Sequence, residues 1–489
     1  MNTNRSASAS NSISTTDTKP RFLLATLIIL LIIRWWLATT PGYPPDLHTY
    51  TSWGLCAGVR GIETIYENDL SMDYPPLYGY LTAPAGYIYN KLIYPKELAA
   101  ARAEQAGSGE EFKPPVATDS ISLRMMMKVP PLVFDILIAI VLGLLVNRCG
   151  LWCGKRNWLG WAPALIYLCH PAILFESGYW AQPDSVVNFF MILALTLILL
   201  RKPELGWASA ALGLLMKPLA APFYPLLALA TIQCCGWRRL FTGGAVGLVT
   251  FCAGFIPFIL TGRGAHAFHK VFFDIDLMPY TSVNGHNIWW LHGPWQLASS
   301  PVIGPLSPRL IGYILVATSI LLILWWVWKM DQNKKPVDQE NPLSLDHLSH
   351  WFVAAAAVAY CFFTFSTHMH ENHLVTALPF LIVLAGRGRR WLWLMIVASI
   401  CIGINMVTHD LHIAADLFAD VGGQSGHWDS GIDWYLRAYP GAIDRAPYLS
   451  RLELGMAYTN AAMVVLSCGF LIFTMIIMLR GRQRNNEAR

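Results

Sequence analysis

Long apolar runs dominate this sequence and limit it to folds that can be built in lipid. A membrane span needs about 20 apolar residues. The chain of 489 residues is 55% hydrophobic and 13% charged, whereas soluble domains carry roughly 25% charge. Backbone polar groups in lipid must bond within their own segment, so these runs predict helices. We expect an all-α polytopic membrane protein with about twelve spans. The runs lie at 22–38, 128–147, 158–176, 184–200, 205–216, 218–233, 240–261, 308–328, 350–366, 373–386, 391–407 and 455–479.

One further run, 76–92, follows the sequence DYPPL and either crosses the membrane or lies on its surface. Short loops rich in Lys and Arg mark the cytoplasmic side of a membrane protein. These loops alternate regularly along the chain if 76–92 does not cross, and Pro84 interrupts the run. We therefore predict one outer loop, 41–127, in which 76–92 forms an interfacial helix that begins near Pro75 and Pro76.

The same orientation assigns the other polar segments. Interfacial Trp35 and Trp36 end the first run where a signal peptide would have a small-residue cleavage site, so we expect an uncleaved first helix. The main transmembrane module is then 22–407. Around it we place a cytoplasmic polar tail (1–21), outer loops at 262–307 and 408–452, and a last helix with a basic cytoplasmic tail (453–489).

Composition and motifs exclude several classes of function. The net charge of +5 comes from basic residues in short loops, which indicates membrane orientation rather than nucleic-acid binding. Nine of the ten cysteines lie in apolar runs or predicted inside loops, and no CxxC pair with zinc spacing occurs. The sequence also lacks a P-loop, a G-x-S-x-G motif and a G-x-G-x-x-G that follows a strand.

Three acids in the predicted outer segments are candidates for function, because acids at a membrane boundary often have a functional role. Asp46 follows Pro45 and either caps a helix or has a catalytic role, which depends on the family resemblance described below. Asp73 either caps the interfacial helix or belongs to an active site. Asp184, in ESGYWAQPDSV, either caps the span that begins there or binds a sugar hydroxyl or a metal.

Lys217 lies between two short apolar stretches, 205–216 and 218–233, which we predict to form a helical hairpin with this lysine at its tip. An ammonium group at that depth must snorkel to water or pair with an anion, of which a lipid phosphate is the obvious one.

Two later segments mix polar and aromatic residues. NGHNIWWLHG, at 284–293, is either an interfacial aromatic anchor or a sugar-binding segment. In FSTHMHENHL, at 365–374, His370 and His373 would share one face of a helix. We favour phosphate binding centred on His370 and Glu371; a solvated turn and, with one more ligand, a zinc site are the alternatives.

In their order along the chain, these segments resemble the motifs of the GT-C superfamily of membrane glycosyltransferases. That family has a first-loop acid, then D-Y-P-P-L, a Q-Y-N-S turn, a basic K-Q, N-I-W, and H-E before Leu-Pro. The resemblance is greatest to the dolichyl-phosphate-glucose glucosyltransferases of N-glycan assembly and to their bacterial mannosyltransferase-like relatives. It covers about residues 40–386, with matches at Asp46, Asp73–Leu77, Gln182–Ser185, Lys217, Asn287–Trp289, His370–Glu371 and Leu378–Pro379.

The resemblance implies a GT-C fold and an inverting transfer of a hexose from a polyprenyl-phosphate donor to a glycan or glycolipid acceptor. Asp46 would be the general base, and Lys217, His370 and Arg124 would bind the donor phosphate. Neither a divalent metal nor another cofactor is expected, and the partners are the donor, the acceptor and membrane lipids, with no nucleic acid. Sugar and acceptor contacts would come from Asp73, Tyr74, Gln182, Asp184, Asn287, Trp289 and Glu371.

The chain departs from the family pattern in three places. The eukaryotic turn has a His before Gln that is missing here, with Trp180 near its place, Asp184 replaces Asn, and Asn372-His373 replaces K-S. These departures are closer to the bacterial branch, so we expect a bacterial inner membrane with the site facing outside, or the endoplasmic reticulum in a eukaryote. Two alternatives stay open. A secondary transporter would show paired broken helices with charges near the midplane, and a polymerase or ligase that uses a diphosphate-linked donor would need more outer arginines.

Overall fold

The computed structural model describes residues 18–67, 72–106, 111–149, 158–273, 279–282, 284–293, 296–331, 345–410 and 442–487. Residues 1–17 of the predicted tail and 411–441 of the predicted outer loop lie outside this part of the chain. Within it, the regular secondary structure is helical, and β pairing is limited to two isolated bridges. This confirms the predicted all-α class.

The helices are numbered in their order along the chain. The first part of the chain forms α1 (Thr18–Thr39), α2 (Pro44–Val59), α3 (Pro76–Ile88), α4 (Tyr94–Gln105) and α5 (Ile121–Cys149). The middle part forms α6 (Ala162–Cys169), α7 (Pro171–Ile173), α8 (Asp184–Leu199), α9 (Pro203–Met216), α10 (Tyr224–Cys235), α11 (Trp237–Ala253), α12 (Ile256–Leu260) and α13 (Gly264–Phe272). The last part forms α14 (Ile288–His292), α15 (Pro308–Asp331), α16 (Leu345–Phe365), α17 (Leu378–Ala385), α18 (Arg389–Asp410) and α19 (Ala442–Glu487).

Within the described residues, six helices are long and apolar enough to cross a membrane. Three shorter apolar helices, Ala25–Thr39, Asp184–Leu199 and His373–Ala385, coincide with further predicted runs. This supports a multi-pass membrane protein, while the count of about twelve spans and the GT-C arrangement stay predictions. The six candidate spans are Ile121–Cys149, Pro218–Cys235, Pro308–Met330, Asp346–Phe365, Arg389–Thr408 and Leu454–Arg484.

Helix α16 lies at the centre of the assembly. Every residue from Trp351 to Ala359 is at most 4% exposed, and 89% of the apolar part of this helix is buried, against 22% for α15. A helix that is apolar on all sides lies inside a protein, and the alanines at 354–357 allow neighbouring helices to approach closely. Helix α17 is buried over its whole length, so α16 and α17 lie within the core and α15 lies at the periphery.

The disputed run forms α3, which begins where the two prolines predict. Pro75 is the N-cap residue and Pro76 is the first residue of the helix, where the missing N–H of proline has no intrahelical partner to lose. Helix α3 continues through a π-helical turn, Tyr89–Ile93, into α4, and it is not among the candidate spans. It packs against α2, so a β-carbon on Gly86 would lie 1.9 Å from the Gly54 carbonyl oxygen. Its interfacial position stays a prediction.

Helices α8 and α9 form a tight antiparallel hairpin through the link 200–202. The chain breaks at Lys217 as predicted, and Lys217 is extended (φ −153°, ψ 145°) because the residue before a proline avoids the helical region. The prediction that 205–216 forms a hairpin with 218–233 is wrong, because 205–216 pairs with α8 instead. The 3₁₀ turn Pro218–Phe223 separates α9 from α10, and α9 packs mainly against α8 and α11.

Candidate functional site

Asp46 lies in the first turn of α2 and points toward the loop before α8. Its Oδ2 atom accepts hydrogen bonds from Trp180 Nε1 and Gln182 Nε2, both at 2.7 Å, and Tyr50 Oη lies 3.5 Å away. The N-cap residue of α2 is Tyr43, whose side chain forms no capping hydrogen bond. Asp46 therefore does not cap the helix. Two N–H donors fix the orientation of its carboxylate instead.

The turn before α8 carries both of these donors. Leu174–Trp180 forms a π-helical turn that ends at Ala181, which has a left-handed conformation (φ 68°). The backbone N–H of Gln182 donates to Glu176 O at 3.0 Å and closes the turn. Helix α8 then begins at Asp184, so this carboxylate lies at the positive end of the helix dipole.

Lys217 and Asp184 form a buried ion pair at the centre of the site. Lys217 Nζ lies 2.5 Å from Asp184 Oδ1 and 3.5 Å from Gln182 Oε1. The other carboxylate oxygen, Asp184 Oδ2, accepts from Asn372 Nδ2 at 2.9 Å. Burial lowers the pKa of Lys217, but the charge of Asp184 more than offsets this and the pKa lies above its ordinary value. The anion partner expected for Lys217 is thus an internal carboxylate in this structure.

Tyr74 joins the Asp46 side of the site to the Lys217 side. Lys217 Nζ lies 4.9 Å from the centroid of the Tyr74 ring, which is a cation–π contact. Tyr74 Oη lies 3.3 Å from Tyr50 Oη. The two rings pack with Trp53 and Tyr78, with ring centroids 5.3–5.7 Å apart. This aromatic cluster forms one wall beside the charged groups.

Asp73 is the solvent-accessible acid of the site. Its side chain is exposed, and the N-cap residue of α3 is Pro75, so Asp73 does not cap that helix. Partial loss of hydration raises the pKa of Asp73 to about 6, and the negative charge of Asp46 acts in the same direction. The positive charges of Lys217 and Lys270 oppose this rise. Asp73 therefore shares the electrostatic environment of the network while remaining open to solvent.

The segment after α16 reaches the network through Asn372. His370 is half-buried and its ring contacts the His373 ring at 5.3 Å, while Glu371 is buried. The two rings are close, as their spacing predicts, but residues 370–372 are not helical. Among the described residues, no group of three or more His, Cys, Asp or Glu side chains is arranged to hold a metal ion.

Three predicted site residues, Asn287, Trp289 and Arg124, form hydrogen bonds or ion pairs outside the network of Asp46, Asp184 and Lys217. Asn287 is fully buried, its Oδ1 accepts from Trp289 N at 3.0 Å, and its Nδ2 donates to two carbonyl oxygens near the end of α16. Trp289 Nε1 donates to a third carbonyl there at 2.7 Å. Arg124 pairs with Asp119 at 3.1 Å. Roles for these three residues in binding stay predictions.

The sequence did not identify Trp180 and Asn372 as contact residues. Both lie where the chain departs from the family pattern, and that departure was the available signal. Asp184 is a third departure. In the structure its carboxylate, where the family has an amide, is what neutralises Lys217.

Side chains from five separate segments thus meet in one place: 46–50, 73–78, 180–184, 217 and 372. A scan of the sequence against protein-family models gives no match, and no curated protein matches the chain. The proposed function therefore depends on the contacts among these side chains.

Proposed function

We propose that this protein is an inverting glycosyltransferase that moves a hexose from a polyprenyl-phosphate donor to a lipid-linked or cell-envelope glycan acceptor on the outer face of the membrane. One observation supports this most. Asp46, Tyr74, Gln182, Asp184 and Lys217, which the motif resemblance selected from the sequence, form one connected set of contacts.

Asp46 has the properties that a general base for this reaction needs. In the proposed step, the acceptor hydroxyl oxygen attacks the anomeric carbon of the hexose while the Asp46 carboxylate takes the hydroxyl proton. The bond from the anomeric carbon to the phosphate oxygen breaks, its electron pair leaves with the lipid phosphate, and the configuration inverts. Trp180 and Gln182 hold the carboxylate in one orientation, and a fixed base contributes roughly 10²–10⁴ to the rate.

The leaving phosphate gains negative charge in the transition state, which fixed cations and hydrogen-bond donors stabilise. Lys217 is the cation of the network, and Asp184 and Tyr74 hold it in place. His370 is half-buried on the segment that contacts Asp184 through Asn372, so it is the second proposed donor to the phosphate. The exposed carboxylate of Asp73 is proposed to accept hydrogen bonds from sugar or acceptor hydroxyls.

The test is transfer by purified protein in lipid nanodiscs from a panel of radiolabelled polyprenyl-phosphate sugars (glucose, mannose, galactose and arabinose), with a membrane-glycan extract as acceptor. Asp46→Asn keeps an oxygen that accepts from Trp180 but cannot take a proton. We expect one donor to support transfer and this variant to lose about 10²–10⁴ in kcat with little change in the KM for the donor. Glu104→Gln, at an exposed acid of the same predicted loop, is the matched control and should transfer at the wild-type rate.

The competing functions give different results. A secondary transporter would move a substrate without forming a glycosidic bond, and Asp46→Asn would leave donor-independent transport nearly intact. A polymerase or ligase would turn over diphosphate-linked donors instead of the monophosphate panel. Full transfer by Asp46→Asn would show that another group takes the proton.

A further inference from the structure

Lys128 is a buried lysine that the proposed reaction does not use. It lies near the start of α5, and its side chain has no solvent exposure. Its Nζ atom donates to Leu37 O at 3.1 Å and to Thr40 O at 2.9 Å. Within the described residues, no carboxylate forms an ion pair with this ammonium group. A buried cation without a carboxylate is unfavourable unless its hydrogen bonds are satisfied. The two carbonyl oxygens supply these hydrogen bonds to Lys128.

Both carbonyls lie at the C-terminal end of α1, where a positive charge is favourable. The last carbonyl groups of a helix have no intrahelical partner, and a lysine there satisfies them and opposes the negative end of the helix dipole. The backbone N–H and the hydroxyl of Thr40 also donate to Leu37 O, at 3.1 and 2.5 Å. Lys128 therefore binds the chain at the point where α1 ends and the link to α2 begins.

This link also packs closely against α2 and against the π-helical turn Leu174–Trp180. Gly42 has a left-handed backbone (φ 71°), and a β-carbon there would lie 2.3 Å from Leu47 and 2.4 Å from the carbonyl oxygen of Tyr179. The next ring, Tyr43, packs on Trp180 with centroids 4.8 Å apart. The link is thus confined between Lys128 and the π-helical turn that carries Trp180. Asp46 follows within one turn of α2.

We propose that Lys128 is a positioning residue for Asp46. By binding the carbonyls at the end of α1, it sets the path of residues 40–45 and so the distance from Asp46 to its donors Trp180 and Gln182. The inference rests on the proposed function, since it concerns the base of that reaction. It adds a residue that none of the sequence motifs contains.

The experiment compares Lys128→Met, Lys128→Arg and Lys96→Met in the full chain in lipid nanodiscs, with the donor that supports transfer. Methionine keeps the chain length without the N–H donors, and arginine keeps charge and donors. Lys96 is exposed on α4 and serves as the control. We expect Lys128→Met to lower kcat about 10–100-fold with the donor KM within about twofold. Arginine should restore most of the rate, and Lys96→Met should match wild type.

Coupling to Asp46 separates positioning from support of the fold. In the Asp46→Asn background no base remains to be placed, so Lys128→Met should then lower kcat by less than about twofold. An equal drop in both backgrounds, or an unchanged kcat in the single variant, would overturn the proposal. If Lys128→Met does not fold, Lys128→Gln keeps a neutral donor and should give a smaller drop with the same dependence on Asp46.

Hydrogen–deuterium exchange gives a readout that does not require transfer. Lys128→Met should increase exchange at the amides of 40–50 and leave α8 and α16 unchanged. No increase at 40–50, or a uniform increase over the whole chain, would contradict a positioning role. If Asp46→Asn keeps full turnover, the assignment of the base fails, but the exchange data still decide whether Lys128 holds this link.

Discussion

Removal of either partner of the Asp184–Lys217 pair should strongly destabilise the protein. The two side chains are 0% and 8% exposed, and their charged atoms lie 2.5 Å apart. When one partner of such a buried pair is removed, the other charge stays in a medium of low polarity without compensation, which costs about 3–5 kcal/mol of unfolding free energy. We expect both Lys217→Met and Asp184→Asn to fall in this range.

The structure also predicts which loss is larger. Lys217→Met leaves the Asp184 carboxylate, which is fully buried, without a cation, so we expect about 5 kcal/mol. Asp184→Asn leaves Lys217 on the face of the Tyr74 ring and within reach of Gln182 Oε1. Because these contacts partly compensate the lysine, we expect about 3 kcal/mol.

Titration with SDS in mixed micelles measures this free energy. The double variant, Lys217→Met with Asp184→Asn, carries no uncompensated charge from the pair and should be less destabilised than either single variant. Asp346→Asn is the control, because its pair with Arg387 is at the surface, with 71% of the aspartate side chain exposed, and should cost at most about 1 kcal/mol. Additive losses in the double variant, or a larger loss for Asp184→Asn than for Lys217→Met, would refute the electrostatic reasoning.

Three further predictions follow from the same contacts. The pKa of Asp73 is about 6, so its carboxylate is protonated at lower pH. We therefore expect kcat/KM to fall about tenfold per pH unit below about pH 6. The rate–pH profile of Asp73→Asn should lack this acidic decrease. Trp180→Phe removes one 2.7 Å donor from Asp46 and should lower kcat about tenfold, with retained cooperative thermal unfolding as the check that the variant folds. Gly86→Ala should cost about 1–3 kcal/mol because its β-carbon would lie 1.9 Å from a carbonyl oxygen of α2, whereas Gly244→Ala, with no atom within 4 Å, should be neutral or stabilising by denaturant titration.

Local rules in the sequence predicted those parts of the fold that depend on neighbouring residues. Prolines set the start of α3 at Pro76 and the break at Lys217, because proline suits a first helical turn and excludes helical geometry from the residue before it. The acids of the site were selected by motif. Their roles as caps or as functional groups could not be decided locally, because Asp46 and Asp184 sit at helix starts in either case. The role of each acid becomes clear only from its hydrogen-bond and ion-pair partners, which lie in distant segments.

Contacts between distant segments account for what the sequence did not show. Trp180 reaches Asp46 across 134 positions, and Asn372 reaches Asp184 across 188. No spacing rule covers such separations. The role of Lys128 could not be predicted for a different reason. A lysine at the edge of an apolar run usually snorkels to the interface. The structure shows instead that it binds carbonyl groups at the end of α1, which lies beside it.

The central ion pair, by contrast, follows from helix lengths that the sequence does contain. Helix α8 has 16 residues, α9 has 14, and the link between them is short. In an antiparallel hairpin with arms of nearly equal length, the first residue of one arm lies beside the residue that follows the other. Those residues are Asp184 and Lys217. Each charge also opposes the dipole of its own helix, with the acid at the N-terminus of α8 and the lysine after the C-terminus of α9. The hairpin thus brings together the ends of two helices whose dipoles favour these charges, and the short link between α8 and α9 sets the geometry at the centre of the site.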